Sequence, residues 1–79
     1  MYRAVKYYHW SYHSNGNQVR EWRVDFGIDW TEYDLWKMLK TWQTENCEGE
    51  WEKDYRISSA GYAAFSKLED AMLCYLKFA

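Results

Sequence analysis

The dipeptide Asn15-Gly16, set between two runs rich in aromatic and β-branched residues, constrains this chain more than any other feature. A two-residue type I′ turn needs φ > 0 at both central positions, and Asn-Gly supplies that at least cost. The stretch Tyr2 to Ile28 therefore reads as a β-hairpin. With Asn15-Gly16 at the tip, Ser14 faces Asn17, Trp10 faces Glu21, Tyr8 faces Arg23 and Lys6 faces Asp25. Strand two alternates between apolar Trp22, Val24 and Phe26 and charged Glu21, Arg23 and Asp25. A period of 2 puts the apolar set on the core face, with Val5, Tyr7 and His9 opposite. Tyr8, Trp10 and Tyr12 then form a stripe on the outer face. A three-residue loop, Asn15 to Asn17, is the alternative. It would shift every partner by one, set Lys6 against Phe26 and send Tyr8 and Trp10 inward.

In the two-residue register the outer pairs make chemical sense. Lys6 and Asp25 carry opposite charges, and Tyr8 with Arg23 suits a cation–π contact, each worth roughly 0.2–1 kcal/mol. Contiguous exposed aromatic side chains mark contact sites. The stripe is expected to meet a partner, with a second copy of the chain or burial under another element as alternatives.

The remaining elements follow in order. Asp29 to Cys47 predicts a helix, with Thr31 as N-cap, Asp34 three residues on, and Trp30 and Leu35 at the positions of a hydrophobic staple. Leu35, Met38, Leu39 and Trp42 recur at helical spacing and face the sheet. Trp36 lies off that stripe, either exposed or at its edge. Gly49 is a plausible terminator. Trp51 to Phe65 reads as a second hairpin, with Ser59-Ala60-Gly61 as its turn. Ala63 and Ala64 suggest close approach of another element. Ser66 and Glu69 form a capping box for a last helix whose apolar stripe is Leu68, Ala71, Met72, Tyr75 and Leu76, with Phe78 pinning the end. The expected fold is one α+β domain over residues 1–79, ordered ββαββα, an antiparallel sheet with two helices packed on one face.

Size and charge bound the function. A chain of 79 residues buries only ~60% of the surface its unfolded form exposes. Its six Trp, eight Tyr and three Phe compensate, since each can bury ~150–250 Å². The net charge of −2 argues against generic binding to a phosphate backbone. No apolar run approaches the ~20 residues of a membrane span, and the N-terminus shows no apolar signal core. Two cysteines without metal spacing fit a cytoplasmic setting with reduced thiols.

The search for chemistry yields no catalytic, cofactor or metal signature. His9 and His13 share a strand face but stand ~13 Å apart in an extended strand, too far for one ion. They read as packed or surface imidazoles. Cys47 and Cys74 read as small buried residues, since nothing brings a base to either. Glu45, Glu48, Glu50, Glu52 and Asp54 form an acidic run interrupted by Trp51 and Lys53. It reads as a solvated face or as a patch that meets a basic partner surface.

Residues 42–78 carry Trp42-Gln43-Thr44-Glu45-Asn46 and a closing Phe65, Glu69-Asp70-Ala71, Leu73, Leu76 and Phe78. This segment resembles small uncharacterised proteins of tailed bacteriophages, and in size and charge the chain is similar to anti-CRISPR proteins. It departs from that pattern at Cys74 and Tyr75, where an aromatic and a basic residue are usual. The resemblance implies a phage or prophage setting and no functional residue. The expected function is a non-enzymatic binding protein that occludes a host defence or nucleic-acid-handling protein in the host cytoplasm. Its contact residues would be Tyr8, Trp10, Tyr12, Trp36, Glu45, Glu48, Glu50, Glu52 and Asp54, and a homodimer is compatible with this. The alternative is a single-stranded nucleic-acid module stacking bases on Tyr8, Trp10 and Tyr12, with Lys6, Arg20 and Arg23 on phosphates. A small enzyme and a carbohydrate-binding module are lesser possibilities.

Overall fold

The computed structural model describes residues 2–30, 32–46 and 55–79. Strands β1 (Lys6–Ser14) and β2 (Asn17–Asp25) form the first hairpin. Helix α1 (Tyr33–Asn46) follows, then β3 (Tyr55–Ser58), β4 (Tyr62–Phe65) and helix α2 (Leu68–Phe78). All strand pairs are antiparallel, and the sheet order is β1-β2-β4-β3. The described residues thus form an α+β fold with a four-stranded antiparallel sheet and two helices packed against it.

The hairpin takes the two-residue register. Lys6 pairs with Asp25, Trp10 with Glu21 and Ser14 with Asn17. Asn15 and Gly16 have φ of 53° and 79°, the left-handed pair that a type I′ turn requires. The second hairpin turns through Ser59, Ala60 and Gly61, with Ser58 opposite Tyr62. Gly61 has φ of 84°, and a Cβ there would lie 2.4 Å from the Ile28 carbonyl oxygen. Its own carbonyl accepts the Phe26 N–H at 3.2 Å, so this turn is pressed against the end of β2. The expected start of this hairpin at Trp51 lies outside the described residues.

The core lies between the sheet and both helices. Val24, Phe26, Ala63 and Phe65 from the sheet meet Leu35, Leu39 and Trp42 of α1 and Ala71 and Cys74 of α2. Fully burying a side chain such as Leu35, Leu39 or Phe65 stabilises the fold by roughly 1.5–3 kcal/mol. The Trp42 ring stands edge-on to Phe65 at 6.5 Å and to Phe78 at 5.8 Å, which is how Phe78 pins the end of α2. The Ala4 N–H donates to the Phe78 carbonyl at 2.8 Å and ties the N-terminal segment to the same place.

Both helix starts differ from the sequence reading. The Trp36 N–H donates to the Glu32 carbonyl at 3.0 Å, so α1 begins at Tyr33 and not at Asp29. Trp30 is then left largely in solvent and does not staple Leu35; Thr31 lies outside the described residues, as do Cys47 and Gly49. At α2 the N-cap is Lys67, with extended backbone and no side-chain cap hydrogen bond. Ser66 falls one position too early for a capping box.

The α2 stripe is also rotated from the expected one. Ala71, Cys74 and Phe78 point inward, and Tyr75 packs on Tyr7 at 5.1 Å. Met72 and Leu76 face solvent, Leu76 at 69% exposure. Cys74 sits at 0% exposure, and its small side chain is compatible with a close approach of α2 to the sheet.

Candidate functional site

Both described helices pack on one face of the sheet, so among the described residues the other face is built from the strands. Alternation places Tyr8, Trp10 and Tyr12 of β1 there, beside Glu21 and Arg23 of β2. The β2–β4 and β3–β4 registers set Ala64 between Arg23 and Arg56, and Tyr62 between Asp25 and Ser58.

These residues form a compact arrangement around one carboxylate. The Glu21 side chain is only 7% exposed. It accepts from Arg23 Nε at 2.6 Å, and both its oxygens accept from Arg56 Nη2, at 2.9 and 3.0 Å. Arg56 reaches Glu21 across β4, over Ala64, which is 3% exposed. Strands lie ~4.8 Å apart, so the bridge spans roughly 10 Å of sheet and requires a small residue beneath it. Ala64 is that residue. The close approach expected at Ala63 and Ala64 is thus met on two sides: Ala63 under the helices and Ala64 under an arginine.

Rings complete the arrangement. The Arg23 guanidinium lies 4.2 Å from the Tyr62 ring centre, 4.8 Å from Trp10 and 5.9 Å from Tyr12. Arg56 lies 5.7 Å from Tyr62 and donates to its hydroxyl at 3.5 Å. Burial alone would lower the Arg56 pKa. Hydrogen bonds to Tyr62 and Glu21 and the Glu21 charge outweigh it and hold the group above its ordinary value, so it stays charged. Trp10 also stands edge-on to Tyr8 at 6.3 Å, and Lys6 Nζ sits over Tyr8 at 5.3 Å.

Two expected cross-strand contacts are replaced. Lys6 and Asp25 are opposite in register, but the Asp25 carboxylate accepts the Gly27 N–H at 2.8 Å and the ammonium goes to Tyr8. Arg23 passes over its direct partner Tyr8 and lies against the diagonal Trp10 and Tyr12, because Glu21 draws its Nε toward the turn. Arg20, by alternation, belongs to the helix-side face and bonds to Gln18 at 3.4 Å. It is not on the ring face as a phosphate contact would require.

The expected contact residues divide between two sides of the molecule. Tyr8 and Tyr12 are half-buried and Trp10 is 45% exposed on the open face. Trp36 and Glu45 are exposed on α1, behind the sheet. There Trp36 stacks on Tyr33 at 6.2 Å, and Lys40 Nζ stands 6.0 Å from its ring centre. Glu48, Glu50, Glu52 and Asp54 lie outside the described residues. Sequence reasoning missed Tyr62 and Arg56 and took Glu21 for an ordinary outer charge. The available signal was Ala64, a small residue between two arginines once the strand order is known.

The other candidate groups are accounted for by packing. The His9 ring stands edge-on to Trp22 at 5.0 Å, and Cys74 is buried in the core. Among the described residues, no three His, Cys, Asp or Glu side chains are grouped to hold a metal ion. No described helix is long and apolar enough to cross a membrane.

No protein-family model matches the chain, and comparison with curated proteins and with solved structures finds no significant relative.

Proposed function

We propose that this chain is a non-enzymatic binding domain that docks another protein on its open sheet face. The observation that carries the reading is the ordered cluster of Trp10, Tyr62 and Arg56 on a face that no described helix covers. Trp, Tyr and Arg are the side chains that dominate interface energetics. Here they are already immobilised. Arg23 is clamped between rings and Glu21, so Trp10 and Tyr62 lose little further freedom on binding. The Arg56 side chain is 46% exposed, and its hydrogen bonds to Glu21 and Tyr62 all run through Nη2. Nε and Nη1 would then donate to a partner's acceptor.

The phage-like motifs suggest the narrower form of this role, an inhibitor that occludes a host defence or nucleic-acid-handling protein in the cytoplasm. In that form Glu45 and Trp36 belong to a second contact on α1. The test is affinity capture from a bacterial lysate with the intact chain and with Trp10→Ala and Arg56→Ala. A stoichiometric protein retained by the wild type and weakened about tenfold or more by each variant is expected, since each removes a hot-spot side chain. Capture that is absent, or indifferent to both changes, ends the reading.

A second reading has one observation in its favour. Among the described residues, Lys6, Arg23 and Arg56 outnumber Glu21 and Asp25 on this face, although the whole chain carries −2. That balance suits a single-stranded nucleic acid. Against it, Arg23 already occupies ring faces on which bases would stack. Tryptophan fluorescence during a low-salt oligonucleotide titration separates the two; quenching that saturates selects nucleic acid, and a flat curve selects protein.

A further inference from the structure

Among the described residues, strand β1 is the long free edge of the sheet. It runs nine residues without proline, and β2 occupies one side of it only. The phase of its ladder follows from two facts. A two-residue type I′ loop makes Ser14 and Asn17 a hydrogen-bonded pair, and bonding then alternates along the strands. Independently, the Phe26 N–H bonds to Gly61 across β4, which turns even-numbered β2 residues to β4 and odd-numbered ones to β1. Tyr8, Trp10 and Tyr12 therefore bond into β2, while the main-chain groups of Tyr7, His9, Ser11 and His13 point off the edge.

Proteins guard such an edge with proline, bulges or charge. Here Lys6, at one end, is the only formal charge on the strand with histidine neutral. We propose that two copies of this chain pair through β1, edge to edge, into one continuous eight-stranded antiparallel sheet.

The strand is self-complementary in the register centred on Trp10. Tyr7 then faces His13 of the copy, Tyr8 faces Tyr12, His9 faces Ser11, and Trp10 faces its own counterpart. All nine residues pair, and the residues that must exchange hydrogen bonds are the ones whose groups point outward. Charge is compatible throughout. Lys6 meets neutral Ser14, and the two ammonium groups stand at opposite ends, ~26 Å apart. The Trp10 pair falls at a non-hydrogen-bonded position, with Cα atoms ~4.5 Å apart, where cross-strand side chains touch most closely.

The rim supports the same occupant. Val5, Tyr7 and Met72 are exposed apolar side chains. Tyr75 on Tyr7 holds α2 above β1, and Met72, three residues before Tyr75, lies on the same flank of the helix. In this register Tyr7 of each copy lies against His13 of the other, so the exposed rim flanks the seam at both ends. The Tyr8, Trp10 and Tyr12 stripe is then half of a six-ring row, and each copy supplies the other's missing half.

Sedimentation equilibrium on the full chain tests this, with Ser11→Pro and Trp10→Lys. Wild type is expected at twice the 9.7 kDa chain mass. Proline at position 11 removes only an outward N–H, which an edge strand tolerates, so circular dichroism is expected to stay native. Two hydrogen bonds are lost per dimer, and the dissociation constant rises roughly thirty-fold. Trp10→Lys opposes two ammonium groups at the axis and gives the same result without touching the backbone. A wild type that stays monomeric at millimolar concentration overturns the proposal, as does a dimer that survives both changes. The inference rests on the strand edge and not on the partner proposed above. A monomer that still captures its partner sinks one and leaves the other.

Discussion

Glu21→Ala is expected to cost about 2–4 kcal/mol of folding stability. The carboxylate is 7% exposed and its nearer partner Arg23 is 12% exposed, so their pair is a buried one. Removing one member of a buried pair costs about 3–5 kcal/mol, because the other charge is left without compensation. Two features adjust that figure. Arg23 keeps three aromatic rings around its guanidinium, each worth about 0.5–1 kcal/mol or somewhat more, which softens the loss. The Arg56 pair is half-exposed, so it adds no more than about 0.5–1 kcal/mol. For a domain of this size the result is a fall in Tm of roughly 10–30 °C. Urea unfolding at neutral pH, extrapolated with an unchanged slope, measures it. The companion variant Arg56→Ala is expected to cost only about 1 kcal/mol, since its partner keeps Arg23 and its own charge was already partly solvated. A loss under 1 kcal/mol for Glu21→Ala, or an equal loss for Arg56→Ala, would refute the view that the carboxylate organises this face.

Two further predictions concern backbone and ionisation. Gly61→Ala is expected to cost about 3 kcal/mol or to prevent folding, because its Cβ meets the Ile28 carbonyl oxygen at 2.4 Å and that oxygen is main chain. Gly16→Ala, at a similar φ but in open space, is expected to cost only about 1–2 kcal/mol; chemical denaturation of both checks the ordering. Tyr2 donates its hydroxyl to the Glu32 carboxylate, and that hydrogen bond, burial and the nearby charges of Glu32 and Asp34 push its pKa from 10.0 up to about 12. The unfolded phenol ionises first, so the Tyr2 contribution is complete below pH 10 and is lost as pH rises to 12. Tyr2→Phe is expected to flatten the decline in stability across that window. One tyrosinate absorbance step should also disappear from the alkaline end of the titration.

Legibility in the sequence followed the range of the forces involved. Asn15 and Gly16 adopt positive φ for local reasons, a short polar side chain that tolerates the left-handed region and the lack of any Cβ, and the register of β1 and β2 follows from that turn without help from the rest of the chain. The stripe Leu35, Leu39 and Trp42 was readable because period 3.6 is a property of the helix alone. Helix ends were harder. Ser66 and Glu69 have the right chemistry for a cap, but packing of Cys74 and Ala71 against the sheet sets where α2 begins and which way it turns. Trp30 likewise has staple spacing but is left in solvent by a helix that starts at Tyr33.

For the candidate site, the sequence by itself determined that Tyr8, Trp10 and Tyr12 share the face of Glu21 and Arg23, since alternation across a hairpin is local geometry. Only the tertiary structure decided that β4, and not β3, lies beside β2. That single choice sets Ala64 between two arginines, lets Arg56 reach Glu21, and brings Tyr62 over Arg23. Strand order depends on contacts between residues distant in sequence, whose energies come from packing the whole core, and no short stretch of sequence carries them.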